Sequence, residues 1–220
     1  MTETPVELKL VFVGDGLTGK TCLQEVYEKE AYPDRYVPTV FHNTVKKVQY
    51  TFGGRLRNVN LQICDTAGPE EYQEARKTIY PDANLVMIVF SVAEPNSLAN
   101  VETRWIGEAS AYCPGIPVIL VGTKTDLRED ERTIKDLKLR NEHVVTYTEG
   151  VTMAKSIGAK AYIECSAKEG YNVKAVFDEA MDVFFRNEPK TTKKGACSFS
   201  LLSLAGRCTE QSRHQPEAFE

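Results

Sequence analysis

Short, nearly continuous apolar runs alternate along this chain with stretches whose apolar positions recur at helical spacing. Leu8 to Val13 (LKLVFV) predicts a buried strand, which enters a glycine-rich turn and then a helix from about Lys20 to Glu30. Asn58 to Ile63 (NVNLQI) alternates polar and apolar residues at period two, as a strand with two different faces does. Val45 to Phe52 is a second extended stretch, and Gly53-Gly54 between the two predicts a hairpin turn. Leu85 to Val92 (LVMIVFSV) is apolar throughout, the mark of a central strand covered on both faces. Pro117 to Val121 (PVILV) and Ala161 to Cys165 (AYIEC) repeat that type. Helical patterns fall between these strands, at Ser97 to Tyr112 and Glu149 to Ile157. The last helix carries one apolar stripe of Val173, Val176, Phe177, Ala180, Met181 and Phe184, with Asn172 as its expected N-cap. Such alternation predicts an α/β fold: a mostly parallel sheet with helices on both faces and one antiparallel edge.

Composition narrows the class without changing this picture. The chain has 220 residues, 42% of them apolar, with 27 Lys and Arg against 31 Asp and Glu and a net charge of −4. That balance is ordinary for a globular domain and argues against a nucleic-acid partner held by bulk charge. No run of about 18 apolar residues predicts a membrane span. The polar N-terminus, Met1 to Glu7, lacks an apolar signal core. Cys22, Cys64, Cys113, Cys165, Cys197 and Cys208 show no CxxC spacing, so reduced thiols in a cytoplasmic protein are expected and a disulfide framework is not. Composition shifts at Asn187-Glu188-Pro189 to Lys, Thr, Ser, Gly and Gln without period. One domain over residues 1–187 and a flexible tail over 188–220 are therefore expected. The tail's one apolar patch, Ser198 to Ala205, is too short to span a bilayer.

Four short motifs follow predicted strands, in order. Gly14-Asp15-Gly16-Leu17-Thr18-Gly19-Lys20-Thr21 fits G-x-x-x-x-G-K-[ST] between a strand and a helix. Glycines let backbone amides wrap a phosphate, Lys20 reaches the outer phosphates, and Thr21 offers a hydroxyl to Mg²⁺. Asp65-Thr66-Ala67-Gly68 ends the alternating strand, where Asp65 can hold Mg²⁺ through water. Thr123-Lys124-Thr125-Asp126 follows PVILVG, and the Asp126 carboxylate can accept from a guanine N1–H and exocyclic amine, donors that adenine lacks. Ser166-Ala167-Lys168 follows AYIEC and can present amides to a base carbonyl. Each motif alone is common. Together, at the carboxyl ends of successive strands, they mark the edge where open α/β sheets bind ligands.

With these motifs the chain resembles a small GTPase of the Ras superfamily and, within it, the Rho family, over about Val6 to Phe185. Tyr36-Val37-Pro38-Thr39-Val40-Phe41 resembles the Rho switch I, Asp65 to Gly68 opens switch II, and TKTD resembles the Rac-like form of the base motif. The charged segment Arg128 to Val144 lies where the Rho insert helix separates Rho from Ras. The resemblance implies a P-loop fold with a six-stranded sheet and five helices. It implies GDP and GTP as ligands with Mg²⁺ as cofactor, and hydrolysis of GTP. It implies that Asp15, Gly16, Leu17, Thr18, Gly19, Lys20, Thr21 and Cys22 surround the phosphates. Thr21 and Thr39 would ligate Mg²⁺, Thr39 only with GTP bound, and Gly68 would donate its amide to the γ-phosphate. Lys20, Thr39 and Gly68 form the implied catalytic set with position 69. Thr123, Lys124, Asp126, Leu127, Ser166, Ala167 and Lys168 would hold the base: Lys124 lines the ring, Asp126 reads its edge and Ala167 donates to its carbonyl. Tyr32 stands where the family usually has Phe, and Tyr36 joins the nucleotide set. Effector proteins, exchange factors and GTPase-activating proteins are the implied partners. Signalling to the actin cytoskeleton, at times from the cytoplasmic face of membranes, is the implied process.

The chain departs from the family at several points. Pro69 occupies the place of the Gln that orients the attacking water, and proline has neither an amide side chain nor a free φ. It also restricts Gly68 before it. Without the group that positions the water, slow hydrolysis and a blunted response to an arginine finger are expected; Glu70 or Glu71 could stand in, but a carboxylate there is repelled by the γ-phosphate. Cys64 replaces the Trp that usually precedes DTAG and helps select exchange factors. Cys22 is either a redox-sensitive thiol or a packed small residue. At the C-terminus there is no C-a-a-X ending. Lys190, Lys193 and Lys194 precede Cys197, and three lysines are worth roughly 3 kcal/mol at an anionic membrane, too little for a firm anchor. Palmitoylation of Cys197 or Cys208 and a plain tail are the two readings. Two functions stay open on the sequence: a GTP-hydrolysing switch, and a constitutively GTP-loaded, Rnd-like binding protein that Pro69 favours. A P-loop kinase, the third reading, lacks a lid segment and leaves TKTD unexplained.

Overall fold

The computed structural model describes residues 4–33, 41–68 and 72–187. Six strands form one sheet: β1 (Val6–Val13), β2 (Phe41–Phe52), β3 (Arg55–Thr66), β4 (Leu85–Ser91), β5 (Val118–Thr123) and β6 (Ala161–Glu164), in the order β2-β3-β1-β4-β5-β6. All neighbours run parallel except β2 and β3, as the sequence predicts. Gly53 and Gly54 turn that hairpin with φ of 56° and 76°, so Phe52 pairs with Arg55. Both central positions need positive φ, which glycine adopts without a Cβ clash. β2 and β3 each extend several residues beyond the predicted runs.

Alternation explains why the central strands read as solid apolar runs. Leu8, Leu10 and Phe12 of β1, with Leu85, Met87 and Val89 of β4, enter one core. Val11, Val13, Val86, Ile88 and Phe90 enter the other. Every residue of β4 is buried. The first core is covered by α1 (Lys20–Lys29) and by the C-terminal helix Val173–Asn187, whose Tyr27 and Phe177 rings stack 3.6 Å apart. The second is covered by a helix over 95–112 and by the helix Tyr147–Ser156. In chain order the helices are α1, α2 (Gln73–Lys77), α3 (95–112), α4 (Glu131–Leu139), α5 (Tyr147–Ser156) and α6 (Val173–Asn187). A 3-10 turn, Thr125–Arg128, precedes α4, so the predicted insert segment is helical over its middle. Among the described residues, no helix is long and apolar enough to cross a membrane.

Three details differ from expectation. Asn172 has a left-handed φ of 56°, and its side-chain amide donates to Glu164 O at 3.0 Å. It ties α6 to the end of β6, and only its backbone carbonyl, accepting from Val176 N–H, plays the N-cap part. The stripe on α6 widens at its end: Val183 and Phe185 are buried, with Phe184 partly buried against the same core, because the last turn faces the hairpin, where Phe185 packs on Phe52. Finally, α3 is not one regular helix: Pro95–Asn100 and Ile106–Tyr112 flank a π segment, Val101–Trp105.

Candidate nucleotide-binding site

The sheet order reverses direction at β1, with β3 on one side and β4 on the other, and the four motifs meet at the carboxyl edge there. The loop Gly14 to Gly19 leaves β1 and runs into α1. Gly14 has φ of 144°, and a Cβ on it would lie 2.1 Å from Val89 O. The loop therefore lies directly on β4. Gly14→Ala is expected to cost about 2–3 kcal/mol, read as a fall in melting temperature of about 2–4 °C per kcal/mol for a domain this size. An unchanged melting curve would refute the close approach.

Lys20 opens α1 and is buried, with Nζ donating to Gly14 O at 2.8 Å and Asp15 O at 2.7 Å. Its ammonium closes the loop over the space that the amides line. Burial lowers its pKa from 10.5 to about 8, against the raising influence of Asp65 and Asp15. A neighbouring anion would restore the charge. Thr18 Oγ1 donates to Asp15 O at 2.9 Å and holds the loop's waist, while Leu17, at φ of 62°, points outward.

Beside Lys20, Thr21 Oγ1 donates to Asp65 Oδ2 at 2.5 Å. Asp65 is fully buried, and its Oδ1 has no hydrogen-bond partner. Burial raises the Asp65 pKa, opposed by the Thr21 bond and Lys20. A buried carboxylate oxygen without a donor is what a divalent cation or its water would satisfy. Among the described residues no cluster of three His, Cys, Asp or Glu side chains could hold a metal. One carboxylate, one hydroxyl and phosphate oxygens suit Mg²⁺, which keeps several of its waters. Gly68 lies on the same loop: a Cβ there would fall 2.2 Å from Gly16 N.

The base motif abuts the phosphate loop. Thr123 Oγ1 sits between Thr18 O and Phe90 O, and the Gly19 Cβ position is 3.6 Å from it and 3.8 Å from Lys124 Cε. Lys124 takes a left-handed φ of 62°, and burial lowers its pKa. Ser166 Oγ donates to Asp126 Oδ1 at 2.6 Å, while Lys168 Nζ lies 3.9 Å from Oδ2. Thr125 N–H donates to Cys165 O, which joins the third motif to the fourth; Leu127 N–H donates to Lys124 O, and Ala167 O accepts from Gly170 N–H. Tyr32 is exposed, and its hydroxyl neighbours the Cys22 thiol closely enough for each to influence the other's titration. Burial pushes the Cys22 thiol upward, which fits a packed small residue and not a reactive thiolate. Tyr36, Thr39, Pro69, Cys197 and Cys208 lie outside the described residues.

One part of the site escaped the sequence. Asp15 turns its carboxylate away from the loop's interior to α3, where Oδ1 accepts from Trp105 Nε1 at 2.7 Å and Oδ2 from Asn100 Nδ2 at 2.6 Å. Arg104 Nη2 donates to Gly68 O at 3.1 Å, and Arg76 Nη1 to Ala67 O at 2.8 Å. No spacing rule reaches residues 85 to 90 positions apart.

Comparison with known proteins agrees with this geometry. Residues 9–185 match the Ras family model. The chain is 46% identical over 199 residues to the GTP-binding protein RHO1 of Candida albicans, covering 90% of this chain and 98% of that one. It is 47% identical over 189 residues to the GTP-binding protein RHO1 of Saccharomyces cerevisiae, covering 86% and 88%. The GTP-binding protein rho5 of Schizosaccharomyces pombe is 43% identical over 199 residues, covering 88% and 98%.

Proposed function

The chain belongs to the Rho family of Ras-like small GTPases, and from that premise we propose that it is a guanine-nucleotide switch with the binding site built from the four strand-end motifs. The observation that carries this reading is the buried Lys20 ammonium clasping Gly14 O and Asp15 O beside the unsatisfied Asp65 oxygen. In the proposed site Gly16 to Cys22 wrap the phosphates and Lys20 neutralises them. Thr21 and Asp65, the latter through water, would hold Mg²⁺, which would supply charge neutralisation at the outer phosphates. Asp126, held by Ser166, accepts from the guanine edge, with Lys124 and Ala167 at the ring. Tyr32 closes the base and ribose side. Tyr36 and Thr39 complete the site from switch I, and loss of the γ-phosphate releases both switches for partners to read. Those partners are effectors, exchange factors and GTPase-activating proteins, with signalling to actin as the family's usual output. Residues 1–187 form the G domain of this proposal and 188–220 its tail, where palmitoylation of Cys197 or Cys208 would give a membrane contact. Similarity to RHO1 proteins favours a cycling switch over the permanently loaded, Rnd-like reading. Pro69 makes the cycle slow.

Fluorescent GDP tests the reading: tight binding that is lost when EDTA removes Mg²⁺, and that ATP does not compete, supports it. No binding of either nucleotide would overturn it.

Lys20 adds a pH prediction. A lysine whose folded pKa is depressed holds fewer protons in the fold than in the open chain. Between about 8 and 10.5 the nucleotide-free fold therefore gains stability as pH rises, and below 8 that gain is absent. Phosphate restores the ammonium, so at about pH 8.5 Lys20 should take up roughly three-quarters of a proton on binding, and at about pH 6.5 almost none. Calorimetry in buffers of different ionisation enthalpy reads the uptake directly. Equal heats in all buffers at the higher pH would contradict it.

A further inference from the structure

The π segment of α3 faces the phosphate loop. In a regular α-helix, residues five apart are rotated by about 140° and cannot serve one target. Here Ile106 N–H donates to Val101 O, five residues back, so the helix is locally widened. That widening brings Asn100 and Trp105, five apart, onto the two oxygens of one carboxylate, Asp15. Arg104, from the same turn, reaches Gly68 O and lies over the Trp105 ring at 4.3 Å. Trp105 is fully buried beneath it. One helical turn thus grips two backbones that lie against each other, the loop at Asp15 to Gly16 and the chain at Gly68.

We infer that Asn100, Arg104 and Trp105 are positioning residues for the phosphate end of the nucleotide: Asn100 and Trp105 set the loop through Asp15, and Arg104 sets Gly68 through its carbonyl. The inference rests on the proposed nucleotide reading of this site. It divides the labour by phosphate. The loop wraps the phosphates common to GDP and GTP, so the Asp15 clamp acts on both nucleotides alike. In the proposed site the Gly68 amide serves the third phosphate, so Arg104 would act on GTP alone.

Dissociation rates of fluorescent GDP and of a non-hydrolysable fluorescent GTP analogue separate these roles. Arg104→Met is expected to speed release of the GTP analogue about tenfold, the worth of one charge-assisted hydrogen bond, while GDP release stays within about twofold. Arg104→Lys, which keeps one donor, should recover part of the difference. Trp105→Phe keeps the ring and removes the donor, and should speed release of both nucleotides by a similar factor of about ten. Arg104 is only half-buried, so its variant keeps the fold if the Trp105 variant does not. A lower melting temperature with an unchanged GTP-to-GDP release ratio in Arg104→Met would overturn the inference and reduce the turn to scaffolding. If the unaltered chain binds neither nucleotide, the proposed function itself has failed, which is a different result. Trp105 is the chain's single tryptophan. Its emission should therefore shift when GDP is exchanged for the GTP analogue, and that shift should vanish in Arg104→Met.

Discussion

Pro69→Gln is expected to raise the single-turnover rate of GTP hydrolysis by about 100-fold. The reaction passes through a loose transition state with little covalent work for the protein, so catalysis is positioning and electrostatics. In the proposed site Lys20 and the Thr21–Asp65 pair, already in place, would supply the electrostatic part. At position 69, next to Gly68, the sequence has proline where a glutamine would both accept from and donate to the attacking water. Proline offers neither, and its ring fixes φ and restricts Gly68 before it. Gly68 itself lies tight against the loop: a Cβ there would fall within 2.8 Å of three loop atoms. The misplacement of a single reacting water by about 1 Å is worth about 100-fold, which sets the size of the effect. A partner's arginine finger, worth about 10³–10⁵ elsewhere, should act weakly on the chain as it is and fully on the variant. Preloaded GTP with Mg²⁺ and a phosphate-release readout give both numbers. Equal rates for the two proteins would mean that another group places the water, and Pro69 would then be neutral.

Legibility followed physical range. β4 and β5 were readable because burial on both faces leaves polar residues only at their ends, Ser91 and Thr123, and the hairpin because two adjacent glycines at positive φ have few other uses. The phosphate loop was readable because its chemistry is local: Gly14, Gly19, Lys20 and Thr21 act within eight residues. Asp126 and Ser166 were each visible as a strand-end signal, and the fold supplied their 2.6 Å bond. The π segment was not legible, since one inserted residue shifts a helical stripe without breaking it. Asp15 showed only as one of the loop's variable positions, because its partners lie on another element. Helical periodicity selects Phe184, eleven residues after Val173; it cannot show that the hairpin aromatic Phe52 draws in Phe185 as well.

The second large effect lies beneath the site. Glu108→Ala is expected to lower stability by about 3–5 kcal/mol. Arg76 and Glu108 form a two-pronged pair, Nε to Oε1 at 2.7 Å and Nη2 to Oε2 at 2.9 Å, with side chains only 1% and 3% exposed. Tyr80 OH donates to the same Oε1 at 2.9 Å, and the Arg76 guanidinium lies 4.9 Å from the Trp105 ring. Removing the carboxylate takes two charge-assisted hydrogen bonds from a buried guanidinium and the acceptor from a buried phenol, so their desolvation is less well compensated. At about 2–4 °C per kcal/mol the melting temperature should fall by roughly 6–20 °C. The double variant Arg76→Met, Glu108→Leu removes both charges and should recover most of that loss, since well-packed apolar side chains replace buried pairs at little cost. Recovery of stability need not restore function. Arg76 also donates to Ala67 O, one residue before Gly68, and methionine cannot. If the double variant melts like the parent yet releases the GTP analogue faster than GDP, the pair serves Gly68 as well as the fold. If stability and release recover together, the ion pair is structural, and placement of Gly68 falls to Arg104 alone.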